Sequence, residues 1–391
     1  MAKALINHRM LTWARESARI SVEDVARKFN KEPHVIQAWE SGSDYPTLVQ
    51  LRTLSDTYKR SIAIFYLPSP PEDFQPIKDF RKLPREYSRE FSTELLFLLR
   101  DTQDRKRKLK EILIADGVEE LDFVGSVNRR TNSKDVSEAI RKTLGLTIED
   151  PIKCRKPEEF FKLLSSKAEE QGIFVFRKGG IDSEEARGFV LCDKYAPFIF
   201  INSGDSISAQ IFTLAHELVH LWINQEGISN LAPLTSVSSE EELVEVFCNK
   251  VANELLVEDR YFDKFLVELN AFSIDERINR ISDVFKVSRE VIARKILDKG
   301  LITKKKYEEL KEQYKNEWNE FKRNKKEKFK AQEGGPSYYL LTTIANGYSY
   351  TRRILGAYYS GILSGRDSSG LLGVKLNNFA KLAVSANYGR A

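Results

Sequence analysis

Apolar residues recur at helical spacing over most of the chain and gather into strand-like runs in only one short region. Residues 5–66 read as a bundle of short helices. Met10, Leu11, Trp13 and Ala14 belong to the first, and Val22, Val25, Ala26 and Phe29 form the stripe of a second, opened by the capping-box-like Ser21-Val22-Glu23-Asp24. Asn30-Lys31-Glu32 is a short turn. Pro33 suits the first turn of a third helix, Gly42 ends it, and Thr47 caps a fourth carrying Leu48, Leu51, Leu54 and Tyr58. Pro68, Pro70, Pro71, Pro76 and Pro84 make residues 68–90 an extended tether. A long helix follows from Phe91 to Ile114, apolar at Leu95, Leu96, Leu98 and Leu99, with its charged half from Arg100 to Lys110 read as a solvated face. Asp135 to Gly145 and Pro157 to Gln171 read as two more helices.

The strand signals lie between Gly172 and Asn202. Gly172 to Phe176 begins one strand, while Gly188 to Cys192 and Phe198 to Ile201 flank the turn Asp193-Lys194-Tyr195-Ala196-Pro197 as a β-hairpin. Phe198 to Asn202 is a candidate edge strand for holding a peptide extended by backbone pairing, with an interior strand as the equal alternative. The fold class that follows is α+β, mostly α.

The hairpin leads into Phe212-Thr213-Leu214-Ala215-His216-Glu217-Leu218-Val219-His220-Leu221-Trp222, apolar around most of a helix and free of Gly and Pro. It contains H-E-x-x-H. Residues four apart share a helix face, so His216 and His220 can aim their imidazoles at one point, as two ligands of a zinc ion require. Glu217 then stands where a general base for a water would. The chain has four histidines and two of them fall here, and a carboxylate in so apolar a helix is costly to bury without a partner or a task.

A third ligand is expected from the helix Glu240 to Leu256, which the Ser/Thr-rich loop Thr235 to Ser239 would cap. Val244, Phe247, Val251 and Leu255 form its stripe. Glu245 lies beside that stripe and can face inward, whereas Glu241 and Glu242 are expected in solvent. Asn249, one turn on, could accept the other ring N–H of a ligand histidine. His216, His220 and Glu245 are therefore the expected ligands, with a fourth position left to water. Cys248 is the rival, with a buried structural thiol as its expected state.

Three segments resemble one family: Pro197 to Asn202, Phe212 to His220, and Glu245-Val246-Phe247-Cys248-Asn249-Lys250-Val251-Ala252 with Leu255-Leu256-Val257. They are similar to the ImmA/IrrE zinc metallopeptidases over roughly residues 170–260. The resemblance implies a zincin-like domain of a small sheet plus the H-E-x-x-H helix, zinc on His216, His220 and Glu245, and Glu217 as the catalytic residue of a gluzincin-like endopeptidase. It also implies a narrow protein substrate, a repressor or related regulator, in a bacterial stress, prophage or defence setting. Glu258 departs from the family, which often has Pro there.

Near the N-terminus, two short helices and a tight turn inside a bundle read as a helix-turn-helix. Val35-Ile36-Gln37-Ala38-Trp39-Glu40-Ser41-Gly42 resembles the XRE/Cro-repressor type, with Trp39-Glu40-x-Gly42 its most recognisable part. On that reading Gln37 pairs with adenine, and Lys31, His34 and Ser41 touch phosphate or base edges. A protein-docking module is the alternative, because the candidate recognition helix carries Glu32 and Glu40 and no Arg.

Beyond the metal motif, Glu276 to Leu297 reads as a second helix pair, resembling the unit after the peptidase core and expected to pack on the metal helix. Thr303 to Lys330 carries Tyr307, Leu310, Tyr314, Trp318 and Phe321 as an expected core stripe. In the tail, Tyr338 and Tyr339 are candidate oxyanion stabilisers, with packing as their alternative role. The expected domains are residues 1–67 (helix-turn-helix), 68–90 (linker), 91–260 (helical lead-in and peptidase core) and 261–391 (C-terminal helices).

Composition narrows the class. At 391 residues, 41% hydrophobic and 30% charged, the chain is globular rather than disordered, and a net charge of +5 permits nucleic acid without demanding it. Cys154, Cys192 and Cys248 lack paired spacing, which argues for a reducing compartment. No apolar run reaches transmembrane length and no signal-peptide core is present, so a cytoplasmic protein without a membrane partner is expected. Two other functions compete with proteolysis: a DNA-binding regulator whose peptidase fold serves as sensor or docking surface, and a toxin–antitoxin-type interaction component.

Overall fold

A computed structural model describes residues 2–71, 91–229, 240–330, 335 and 337–389. The chain divides into two compact units, residues 1–77 with 83–104, and residues 78–82 with 105–391. Most of the expected linker and the loop 235–239 lie outside the described residues.

The first unit contains α1 (His8–Ser17), α2 (Val22–Phe29), α3 (Pro33–Ser41), α4 (Leu48–Tyr58) and a 3-10 turn, Ile62–Tyr66. Its caps are those the sequence predicts. Ser21 accepts from the Asp24 N–H, and Thr47 and Gln50 form a reciprocal capping box. Gly42 ends α3 at φ +78°, with the His8 ring 3.0 Å from where a Cβ would stand. Leu11, Ala14, Val25, Ile36, Trp39, Leu51, Leu54 and Phe65 make the core. Leu48 leaves the expected stripe and is half exposed.

In α5 (Thr93–Ala115), Leu95, Leu96 and Leu99 are buried as expected. The charged half is solvated only in part: Asp101, Asp104 and Arg107 are exposed, but other charges are tied. Arg105 donates to Asn346 at 2.7 Å, Lys106 to Glu226 at 3.2 Å and Lys110 to Asp193 at 2.8 Å. The charges are tied because this part of α5 packs within the second unit.

The second unit continues with α6 (Ser133–Leu144), the short α7 (Glu149–Lys153) and α8 (Pro157–Glu170). The sheet strands are β1 (Phe174–Lys178), β2 (Gly188–Leu191), β3 (Phe198–Asn202) and β4 (Gly227–Ser229), in the order β1-β3-β2-β4. β3 runs parallel to β1 and antiparallel to β2, which also pairs antiparallel with β4. The hairpin forms as expected, but Phe198–Asn202 is an interior strand. All five of its residues are buried, as befits a strand covered on both faces. The edges of this sheet are β1 and β4.

Against β2 and β3 lies α9 (Ile207–Trp222), with α8 and α10 (Glu240–Leu256) packed on it. One continuous core joins these helices to the sheet through Ile199, Ile201, Leu214, Leu218, Val244, Val251 and Leu255. Next come α11 (Asp259–Glu268), α12 (Ile274–Phe285) and α13 (Arg289–Asp298). The α12–α13 pair forms as expected, yet its main contacts run to α7, α11 and α14 (Lys304–Lys330) rather than to the metal helix. Lys295 of α13 holds the end of α10 instead, facing Glu254 at 3.5 Å and Asp259 at 2.9 Å. Along α14, Tyr307 and Leu310 are buried and Tyr314 packs partly buried against the core, but the expected stripe leaves it beyond them: Phe321 is exposed and stacks on Trp318. The chain ends in α15 (Tyr338–Asn346), α16 (Tyr348–Tyr359), α17 (Gly365–Leu372) and α18 (Phe379–Ser385).

Candidate metal centre

α9 starts at Ser206, whose hydroxyl accepts from the Ala209 N–H, and is buried from Gln210 to Trp222. His216, Glu217 and His220 have no exposed surface at all. Such a helix tolerates three polar side chains only where they meet partners. For the two histidines α10 supplies one. Glu245 Oε2 lies 3.3 Å from His216 Nε2, Glu245 Oε1 lies 3.2 Å from His220 Nε2, and the two Nε2 atoms are 3.1 Å apart.

The outer nitrogens fix the proton positions. His220 Nδ1 is 3.2 Å from the Gln225 carbonyl, which can only accept, so Nδ1 carries the proton. His216 Nδ1 is 3.0 Å from Asn249 Oδ1, the arrangement expected from sequence. Both Nε2 atoms then present lone pairs to one point bordered by a carboxylate. Such a group is self-repelling unless a cation lies between its members. Two imidazoles and one carboxylate, with donor atoms all within 4.8 Å of one another, are a donor set that suits a divalent metal such as zinc. Were both rings protonated instead, burial would still raise the Glu245 carboxyl, but their charge and hydrogen bonds would outweigh it and hold Glu245 well below the usual carboxylate range.

Cys248, the rival ligand, is fully buried and outside this group. Burial pushes its thiol well above the ordinary value, and the Glu245 and Glu217 charges push it further, which keeps it a neutral packing group. Glu242 corrects an expectation: it is 4% exposed, not in solvent, because it stands one turn before Glu245 on the buried side. Glu217 lies against β2, its Oε1 3.0 Å from where a Cβ on Gly188 would stand.

Tyr338 and Tyr339 are placed elsewhere. Their hydroxyls donate to the Gly373 carbonyl and Asn378 Oδ1, acceptors in the C-terminal helices, and no contact of either with the cluster occurs among the described residues. In the first unit Lys31, His34, Gln37 and Ser41 are all exposed at the turn and along α3. Glu40, counted against nucleic-acid binding, is turned inward onto Arg15 in a two-point pair of 2.7 and 3.0 Å.

Sequence reading missed two groups at the centre. Gln225 acts through its backbone carbonyl, which has no side-chain signature. Gly188 matters for the side chain it lacks. A glycine opening the first strand of the hairpin that leads to α9 was the available signal.

Residues 168–297 match the family model Peptidase_M78, the IrrE N-terminal-like domain. The matched stretch runs from the end of α8 into α13 and contains the whole His216–His220–Glu245 group. It supports a peptidase-like domain related to the ImmA/IrrE proteins. No curated protein matches the chain. No helix among the described residues is long and apolar enough to cross a membrane.

Proposed function

We propose that the chain is a zinc-dependent endopeptidase acting on a regulatory protein, a repressor or similar partner, in a bacterial stress, prophage or defence response. The observation that carries this reading is the convergence of His216, His220 and Glu245 on one buried point within a stretch similar to Peptidase_M78. These three residues would hold the metal. Zinc, when bound, would polarise a peptide carbonyl and acidify a water. Glu217 takes the proton from the attacking water and delivers it to the leaving amine. Asn249 keeps the His216 proton on Nδ1, leaving Nε2 as the donor.

Metal content by mass spectrometry, paired with profiling of new protein N-termini in expressing cells, tests this. Wild type should carry zinc and generate cleavage products. Glu217→Gln should carry zinc without generating them, and Glu245→Ala should lose zinc. Cleavage by Glu217→Gln would refute the base assignment.

A second reading, a DNA-binding regulator, is favoured by the first unit. With Glu40 paired to Arg15, the exposed face of α3 offers His34, Gln37 and Ser41 beside Lys31, free of that carboxylate. Chelator-insensitive gel-shift binding with no cleavage of any partner would prefer it. Co-purification of a bound partner without DNA binding would instead point to an interaction component.

A further inference from the structure

We infer that Asn224 is a positioning residue for the second metal ligand, acting by ending α9 in the one turn that places the Gln225 carbonyl on His220. The inference rests on the metal-centre reading above and adds to it the device that sets His220.

The end of α9 supplies the geometry. After Trp222 and Ile223, Asn224 takes a left-handed conformation at φ +52°. Its N–H bonds the Leu221 carbonyl at 3.1 Å, and the Gln225 N–H bonds the His220 carbonyl at 3.0 Å. These are the paired bonds of a Schellman termination, in which the left-handed residue belongs just past the helix. Here the carbonyl receiving the longer of the two loops is that of His220 itself. Gln225 therefore grips His220 twice, by its N–H on the main chain and by its carbonyl on Nδ1 at 3.2 Å.

A neighbouring loop clamps the turn. The Gly125 N–H bonds the Leu221 carbonyl and the Val127 N–H bonds the Trp222 carbonyl, both at 3.0 Å, while Phe123 stacks on Trp222 with ring centres 4.5 Å apart. Gly125, at φ +75°, has its vacant Cβ position 3.1 Å from Asn224 Cβ, so the loop closes directly on the left-handed residue.

The chemical consequence follows from the tautomer. The Gln225 carbonyl holds the proton on Nδ1 and leaves Nε2 its lone pair. If the Asn224 peptide turned away, Nδ1 would lose its acceptor and the proton could settle on Nε2, removing one donor from the group. Asn is among the few residues other than Gly that enter the left-handed region readily, whereas a β-branched residue is a poor fit there.

The test uses the full chain, with zinc affinity measured by competition against a chromophoric chelator and folding followed by thermal melting. Asn224→Gly keeps the left-handed turn and should stay within about threefold of wild type, while Asn224→Val should bind zinc roughly 10–100-fold more weakly, the usual effect of losing an outer support of a ligand. Rescue by Gly separates this role from any role of the Asn side chain. A folded Asn224→Val with wild-type affinity overturns the inference. Should that variant not fold, nitrogen-15 NMR of the metal-free wild type decides: a His220 proton on Nδ1 supports the inference and one on Nε2 overturns it. Wild type that binds no zinc would defeat the metal-centre reading, and this inference with it.

Discussion

Asn249 Oδ1 lies 3.0 Å from His216 Nδ1, one helical turn beyond Glu245 on the same helix. α10 thus supplies both a carboxylate for the inner nitrogens and an acceptor that orients one ring. Replacing Asn249 by Leu keeps the volume and removes the acceptor. Zinc affinity of Asn249→Leu, measured against a competing chelator, should fall roughly 10–100-fold, whereas Asn249→Asp retains an acceptor and should bind more tightly than the Leu variant. Equal affinities for the Leu variant and wild type would remove Asn249 from the site.

Gly188 is where the sheet meets the motif helix. A Cβ there would stand 2.5 Å from Thr213 Cγ2, 2.9 Å from the Phe200 carbonyl and 3.0 Å from Glu217 Oε1. One of the three obstacles is backbone, so repacking of side chains alone cannot relieve the crowding. Gly188→Ala should therefore destabilise the protein by about 1–3 kcal/mol in denaturant unfolding and shift Glu217. Wild-type stability together with wild-type cleavage would show that β2 can move aside freely.

The His216–His220 pair was legible in the sequence because its signal is a spacing on a helix, and helical spacing survives translation into space. Glu245 could be singled out because it stands beside an apolar stripe that must face α9. The same logic failed for Glu242, since a helix packed on two sides buries more than its apolar stripe. Phe198–Asn202 was ambiguous because a uniformly apolar run marks a covered strand without revealing strand order. The charges from Arg100 to Lys110 looked solvated because their partners, Glu226, Asp193 and Asn346, lie about 80 or more residues away along the chain. The Gln225 carbonyl left no trace, since any residue has one.

Arg15 and Glu40 form a partly buried pair between α1 and α3, with side-chain exposures of 13% and 9%. Removing only the arginine strands a carboxylate. Arg15→Met should cost about 1–3 kcal/mol in unfolding of the first unit, and Arg15→Met combined with Glu40→Met should recover much of that loss. If the double variant is no more stable than the single one, the stranded charge is not the cause.

Glu169, at the end of α8, accepts the Ser349 N–H at 3.1 Å where α16 begins. Gly347 makes this approach possible: it lies at φ +79°, with its vacant Cβ position 2.5 Å from the Val175 carbonyl and 2.9 Å from Glu169 Oε1. Burial raises the Glu169 carboxyl from 4.5 to about 7, outweighing the Ser349 and Tyr348 N–H groups and the Arg352 charge, which favour the ionised form. A carboxyl whose folded value lies above its unfolded value contributes stability fully at pH below the unfolded value. That contribution is lost as pH rises through the folded one. The rise in the Glu169 carboxyl corresponds to on the order of 3 kcal/mol. Denaturant midpoints should therefore decline between about pH 5 and pH 8, and Glu169→Gln, which stays neutral, should flatten the decline. An unchanged slope in that variant would assign the pH dependence to other groups.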